Sequence, residues 1–358
     1  MSRDDYGHLA RWLHHAALGF APVAEASFSL EQLVGRPDSV AIVDRPHVFI
    51  AGLARAGTTI LMRRLYQTGV YRSLTYRDMP FVLMPGLWRR ISFASRLSTE
   101  AKERAHGDGI LVDLDSPEAL EEVFWRVFEG ERYLRPDRLL PHDVGDETIE
   151  RFRFYVAAIL DSAGDSRQDR YLSKNNNSIL RLRGIRRAFP NSVIVVPFRH
   201  PLQHAMSLLL QHEHFVERNR ADPFSAKYMN WLAHHEFGQG QRPFVFVTED
   251  WDRLSRYTTS ELEYWLTLWS NTYRYLLESG PNGFRFLGYE TLCRSTDAVW
   301  SALLHEAKLE RGDQDLAPLR LSERAPPYDV SEELLGDCME LYMQLQEREE
   351  SWLDANGN

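Results

Sequence analysis

The chain has 358 residues, 44% of them hydrophobic and 26% charged, with a formal net charge of −9. That length can bury the core of one large α/β domain or two modest ones, and the acidic balance argues against a polyanion-binding surface and so against nucleic acid as a partner. The two cysteines, Cys293 and Cys338, lie far apart in unlike contexts; they imply neither a disulfide scaffold nor a cysteine-based zinc site and fit a reducing compartment.

At the N-terminus, Asp4 and Asp5 stand where an export signal needs net positive charge, and His14-His15 interrupts the apolar stretch that follows. No apolar run reaches the length of a membrane span, so a soluble, cytoplasmic protein is expected. Residues 8–35 read as an amphipathic helix within an N-terminal helical extension, 1–45, and Arg45-Pro46 marks the entry to a single domain over 46–358. That domain opens with a short apolar strand from His47, a turn bracketed by Gly52 and Gly57, and a helix from Thr58 to about Gln67. The combination is an oxyanion cradle: N–H groups at a helix start lack intrahelical partners, the helix dipole places positive charge there, and glycine lets the backbone approach an anion closely.

Gly52 and Gly57 keep the spacing of the nucleoside-triphosphate P-loop, but Thr58 stands where its lysine must be. The loop's cation is Arg55 instead, which suits a donor whose charge is met by protein cations rather than by a lysine-serine pair with magnesium.

From Tyr71 to about Asp169 runs a variable stretch. Its segments Glu118–Phe128 and Thr148–Ser162 have helical periodicity and are expected outside the sheet, as a substrate-facing insert. Strands follow near 170–173, 193–197 and 284–288, with Phe244–Val247 a further candidate. Strands alternating with helices predict an α/β fold, P-loop-like and three-layered: a central, mostly parallel sheet flanked by helices, with ligands at the strands' carboxyl ends. Arg55, Lys174 and Arg199 all fall just past strand ends.

The segment Val193–Ser207 repeats the strand, turn and helix order, with Arg199 at the strand's exit and Ser207 about two turns into the next helix. An arginine and a hydroxyl there make a second phosphate site. With these two motifs in order, the chain resembles the sulfotransferase superfamily that uses 3′-phosphoadenosine-5′-phosphosulfate, over roughly residues 47–310. In that family a P-[KR]-S-G-T-T loop grips the 5′-phosphosulfate, and the second segment's arginine and serine grip the 3′-phosphate. The resemblance therefore implies donor binding by Arg55, Ala56, Gly57, Thr58 and Thr59, and by Arg199 and Ser207. It likens Leu172-Ser173-Lys174 to the lysine-bearing strand end that neutralises the leaving group. It likens Phe284–Leu292 to a late Y-E-D-L strand end, with Thr291 in place of aspartate and Tyr289 available to the nucleotide. Ala54 and Ala56 replace the usual proline and serine, and arginine at position 55 is closer to the protein-tyrosine and bacterial glycan branches than to the cytosolic small-molecule branch.

In-line transfer builds charge on the bridging oxygen, for which Arg55 and Lys174 supply donors, and the acceptor hydroxyl must lose a proton. Asp78 in Thr75–Pro80 lies at about the distance from the loop at which the arginine branch places its catalytic glutamate, with Arg77 beside it; its alternative is a turn residue before Pro80. The implied function is sulfuryl transfer to a hydroxyl of a glycan or glycolipid. The alternatives are a protein-tyrosine or a small-molecule phenol or alcohol acceptor and, further off, a P-loop nucleotide kinase. No metal is expected: His212-Glu213-His214 and the His200/His204 pair lack the accompanying motif and read as structural or exposed. The Trp265, Trp269, Tyr273 stripe reads as core, and the basic run Arg181–Arg187 as a solvated helix face.

Overall fold

A computed structural model describes residues 12–92, 119–280, 283–310 and 330–356, together with positions 319 and 321 and the backbone of 102–103 and 111–112. The strands in chain order are β1 (Val48–Ile50), β2 (Tyr71–Arg72), β3 (Lys102–Glu103), β4 (Leu111–Val112), β5 (Arg170–Lys174), β6 (Val193–Phe198) and β7 (Phe284–Gly288). Five of them form the central sheet in the order β2-β5-β1-β6-β7, every pairing parallel. β3 and β4 make a separate antiparallel pair.

The helices are α1 (Ala21–Val34), α2 (Thr58–Tyr66), α3 (Pro85–Ser92), α4 (Glu122–Tyr133), α5 (Asp146–Asp161), α6 (Leu182–Ala188), α7 (Pro201–Ala221), α8 (Pro223–Trp231), α9 (Thr248–Leu254), α10 (Leu262–Ser279), α11 (Tyr289–Arg294), α12 (Thr296–Glu306) and α13 (Glu332–Asn356).

Strand alternation builds the three layers. Val48, Ile50, Val193 and Val195 face one side, where they pack with Leu61, Met62 and Leu65 of α2, Trp300 and Leu303 of α12 and Trp352 of α13. Phe49, Ile194 and Val196 face the other, against Phe152 of α5, Phe189, and Trp265, Trp269 and Tyr273 of α10. The aromatic stripe of α10 is core, each of its three rings nearly sealed from solvent. Phe28 of α1 sets its ring against Phe124, Phe128 and Phe154, which docks the N-terminal helix onto the helices between β4 and β5.

Four details differ from the sequence reading. Tyr71–Arg72, expected to begin the insert, is an edge strand of the central sheet, paired in parallel with Arg170 and Tyr171 of β5, and Arg72 also bonds Asp78. Phe244–Val247 is no sheet strand: Phe244 makes a single bridge to Leu139, outside the central sheet. The Arg181–Arg187 run is not uniformly solvated, since Arg181 is sealed in the interior on Glu122 while Arg183 and Arg187 face solvent. The helix expected over Glu118–Phe128 begins at Glu122; Glu118, with residues 1–11 and 113–117, lies outside the described residues.

His47 shows how burial fixes a histidine's state. Its Nδ1 accepts the N–H of Tyr171 at 2.9 Å, so the proton sits on Nε2, which donates to the carbonyl of Ile42 at 2.9 Å. Burial pushes His47, His212 and His235 down to about 4, and His142 and His204 to about 3. Each folded-state value lies below the unfolded value of about 6.5, so between about pH 6.5 and 4 the unfolded chain binds protons that the folded chain does not. The stability these groups confer is complete above pH 6.5 and is lost as pH falls through that window, at up to about 1.4 kcal/mol per pH unit for each histidine. Two such groups would remove about 3 kcal/mol per unit from a total of roughly 5–15. The midpoint of thermal unfolding, followed by circular dichroism, should therefore fall by at least about 5 °C per unit between pH 6.5 and 5; a flat profile would reject the buried neutral histidines.

Candidate active site

The carboxyl ends of β1, β5, β6 and β7 share one edge, with Ile50 opposite Lys174 and Val195, and Phe198 opposite Gly288. Successive connections from β1 run first to β2 and β5 on one side and then cross to β6 and β7 on the other. The edge beside β1 is thus a topological switch point, where open α/β sheets bind ligands.

The turn from β1 to α2 is built by left-handed residues: Arg55 at φ 72° and Gly57 at φ 88°, the latter capping α2. A Cβ on Gly57 would stand 2.9 Å from Cδ2 of Tyr289, so glycine is required there by both conformation and space. Arg55 has no such freedom, and a left-handed non-glycine residue costs about 1–2 kcal/mol. Two contacts hold it: Arg55 Nε donates to Ser207 Oγ at 3.3 Å, and His204 Nε2 bonds the Ala54 carbonyl at 2.8 Å. Burial keeps His204 neutral, so its Nε2–H is the donor. Helix α7, which follows β6, therefore supports the loop that follows β1.

At the end of β6, Arg199 is 8% exposed and lies 4.8 Å over the ring of Tyr289, with Nε 4.0 Å from Glu290 Oε1. The same Glu290 oxygen accepts the His200 N–H at 3.1 Å. Tyr289 thus touches both sites, packed on Gly57 and under Arg199. Burial raises its hydroxyl above the usual phenol range, as does the neighbouring Cys293. The turn beyond β7 is clamped from α13: Glu349 accepts the Gly288 N–H at 2.7 Å and the Thr291 hydroxyl at 2.9 Å. Burial pushes Glu349 up to about 7.

At the end of β5, Lys174 is half-buried and followed by three asparagines, each pinned differently. The Asn175 N–H donates to the Ile50 carbonyl at 3.0 Å and its side chain to Glu122 at 2.7 Å. Asn176 donates to Glu236 Oε1 at 2.7 Å, and Asn177 to the Ala233 carbonyl at 3.1 Å. Glu122, fully enclosed, also takes both Arg181 nitrogens, at 2.8 and 3.0 Å.

The structure brings Arg55 to Ser207 and joins Gly57, Tyr289 and Arg199. Ser207 faces Arg55 rather than sharing a site with Arg199 alone. Asp78 is placed otherwise. It is 2% exposed, takes Arg72 Nη2 at 2.8 and 3.0 Å, and accepts the Thr75 N–H at 2.7 Å and the Thr75 hydroxyl at 3.1 Å. Both oxygens are engaged in closing the turn Tyr76–Asp78 and in holding the edge strand, an arrangement that fits the turn role and not a base open to an acceptor. Glu122 and Glu236 were missed in the sequence, while His204 was read there only as structural or exposed and Arg181 as part of a solvated face. The Asn175–Asn177 run after a strand end was the available signal for Glu122 and Glu236, because consecutive amides at such a place need partners.

Among the described residues no group of three or more His, Cys, Asp and Glu side chains could hold a metal ion, and no helix is long and apolar enough to cross a membrane.

A glycine-bracketed turn and a second arginine, on one edge of a parallel sheet and linked by a tyrosine, have the arrangement with which open α/β sheets bind anionic ligands. The sequence matches the sulfotransferase family over residues 46–313, and the chain belongs to it: the protein is a sulfotransferase. No curated protein matches it. Among solved structures, it is similar to sulfotransferase STF1 of Mycobacterium tuberculosis (12% identity over 86% of this chain and 78% of that one, TM-score 0.47). It is likewise similar to STF9 of Mycobacterium avium (15%, 92% and 75%, 0.44) and to a sulfotransferase of Alicyclobacillus acidocaldarius (16%, 87% and 97%, 0.36).

Proposed function

We propose that the enzyme transfers the sulfuryl group of 3′-phosphoadenosine-5′-phosphosulfate to a hydroxyl of a glycan or glycolipid. The observation that carries the donor assignment is the Arg55–Ser207 hydrogen bond beside the Gly57–Tyr289–Arg199 contacts. It couples two cation-bearing turns into one site suited to a ligand with separated phosphates. In this reading Arg55 and the backbone of Ala56, Gly57, Thr58 and Thr59 receive the phosphosulfate, Lys174 neutralises the leaving oxygen, and Arg199, Ser207 and Tyr289 hold the 3′-phosphate end. The cradle's fit is steric as well as electrostatic, since at Gly57 any side chain would strike Tyr289. Glu349 of α13 fastens the β7 end, which supports treating 46–358 as one catalytic unit with 1–45 as its extension.

The glycan assignment rests on the arginine-bearing loop. A small phenol or alcohol acceptor is favoured by a different observation: the narrow pocket beside Leu53 and Ala54 is walled largely by apolar side chains such as Leu208, Phe244 and Trp265. A panel of glycan, glycolipid and phenol acceptors with labelled donor discriminates the two.

The donor assignment is tested by calorimetric titration with adenosine 3′,5′-bisphosphate. Arg199→Ala should raise its dissociation constant at least about tenfold, roughly 1.4 kcal/mol. Unchanged affinity in the variant would reject Arg199 as a ligand, and absence of binding to the native protein at millimolar nucleotide would reject the donor.

A further inference from the structure

With both Asp78 oxygens committed, the acceptor's proton needs another destination. We infer that Glu236 is the general base, poised by Asn176 in the pocket that begins at the Arg55 loop; this rests on the donor assignment above.

The pocket's floor includes Leu53 and Ala54, the two residues immediately before Arg55, and its walls include Asn177, Arg242 and Trp265. Of the residues lining it, Glu236 alone carries a carboxylate. An acceptor hydroxyl attacking sulfur at the cradle must come from outside the loop, and this pocket abuts the loop directly.

The position of Glu236 is also built rather than incidental. Asn176, two residues past Lys174, donates to Glu236 Oε1 at 2.7 Å. The carboxylate is thereby tied to the turn that follows β5, the strand that ends at Lys174. The two residues before Glu236 are held in place: His234 Nε2 bonds the Ala119 carbonyl at 2.8 Å, His235 Nδ1 bonds the Gly240 carbonyl at 3.0 Å, and the Arg242 N–H donates to the His235 carbonyl at 2.8 Å.

In the step, the acceptor oxygen forms a bond to sulfur as its proton passes to Glu236. The bond from sulfur to the bridging oxygen breaks, and its electron pair leaves on the 5′-phosphate of adenosine 3′,5′-bisphosphate, opposite Arg55 and Lys174. No oxidant, reductant or metal is required for the balance.

The test compares the native protein with Glu236→Gln, which is isosteric and keeps an oxygen for Asn176. Release of labelled sulfate from the donor, with water as acceptor and enzyme in excess, is measured across pH beside calorimetric binding of the bisphosphate. The expected result is a loss in rate of at least about 100-fold, disappearance of the acid-side fall in rate, and bisphosphate affinity within about threefold of native. Native-like release by Glu236→Gln would overturn the assignment, and so would a lost rate matched by a tenfold or greater loss of bisphosphate affinity, which would mark a structural role. Failure of the native protein to bind the bisphosphate would sink the donor reading instead, a distinct outcome.

Discussion

Arg55→Ala should fold and still bind adenosine 3′,5′-bisphosphate, yet lose about 10²–10³ in sulfuryl transfer, equivalent to roughly 3–4 kcal/mol of transition-state stabilisation. The guanidinium is placed by three independent features: the left-handed backbone at Arg55, the His204 bond to the preceding carbonyl, and the donation from Nε to Ser207. With Nε bonded to Ser207, the guanidinium in the proposed role meets a developing oxyanion at little reorganisation cost. Charge develops on the bridging oxygen as the sulfur–oxygen bond lengthens, so the loss should fall on the rate of transfer more than on affinity for the product nucleotide. Arg55→Lys keeps the charge but abandons the Ser207 contact, and it should recover only part of the rate. Turnover by Arg55→Ala within about threefold of native, measured with labelled donor, would show that the loop's cation has no part in the chemistry.

The reading from sequence succeeded where backbone rules act locally. A strand followed by glycines and a hydroxyl-rich helix start has one compact solution, so β1, the left-handed turn and α2 were recognisable from residues 47–67, and β6 with Arg199 followed by the same grammar. The apolar run at 193–198 is long enough to need a sheet covered on both faces, which pointed to the parallel core. What was hidden depends on which partners a side chain meets once folded, whether near or far in sequence. Nothing around Tyr71 announces a two-residue edge strand, because its parallel partners, Arg170 and Tyr171, lie far along the chain. Phe244–Val247 alternates like a strand, but its strand-like pairing among the described residues is a single bridge from Phe244 to Leu139. Asp78 illustrates the same limit within the site: its spacing from the loop suggested chemistry, while its environment, set by Arg72 and Thr75, commits it to structure. Glu236 lies 181 residues beyond Arg55 in a segment with no motif, and only the Asn176 contact ties it to the edge of the sheet.

Arg181→Ala should be the most destabilising single substitution in the layer beneath that edge, at about 3–5 kcal/mol, because it strands a buried charge. The Arg181 and Glu122 side chains are 0% and 1% exposed. Burial alone would raise Glu122, but the Arg181 charge and its hydrogen bonds, with those from Tyr133 and Asn175, reverse this and hold the carboxyl below the usual range. Its neighbour Glu121 lacks that arginine bond and is raised by the same burial while accepting from Trp125 and Tyr171. Adjacent carboxyls thus shift in opposite directions, Glu121 upward by burial and Glu122 downward by the one guanidinium, which also lies 4.9 Å over Trp125 and 4.6 Å over Tyr133. Removing it should lower the thermal midpoint by at least about 6 °C. The functional consequence runs through Asn175: Glu122 anchors its side chain while its N–H continues the ladder to Ile50, so release of Glu122 should loosen the turn that sets Lys174 and Asn176. Arg181→Met paired with Glu122→Leu removes both charges and should recover part of the stability lost by Arg181→Met alone. Because Asn175 then still lacks its partner, sulfuryl transfer should stay depressed in the double variant. Full recovery of transfer together with stability would mean that the pair serves packing alone.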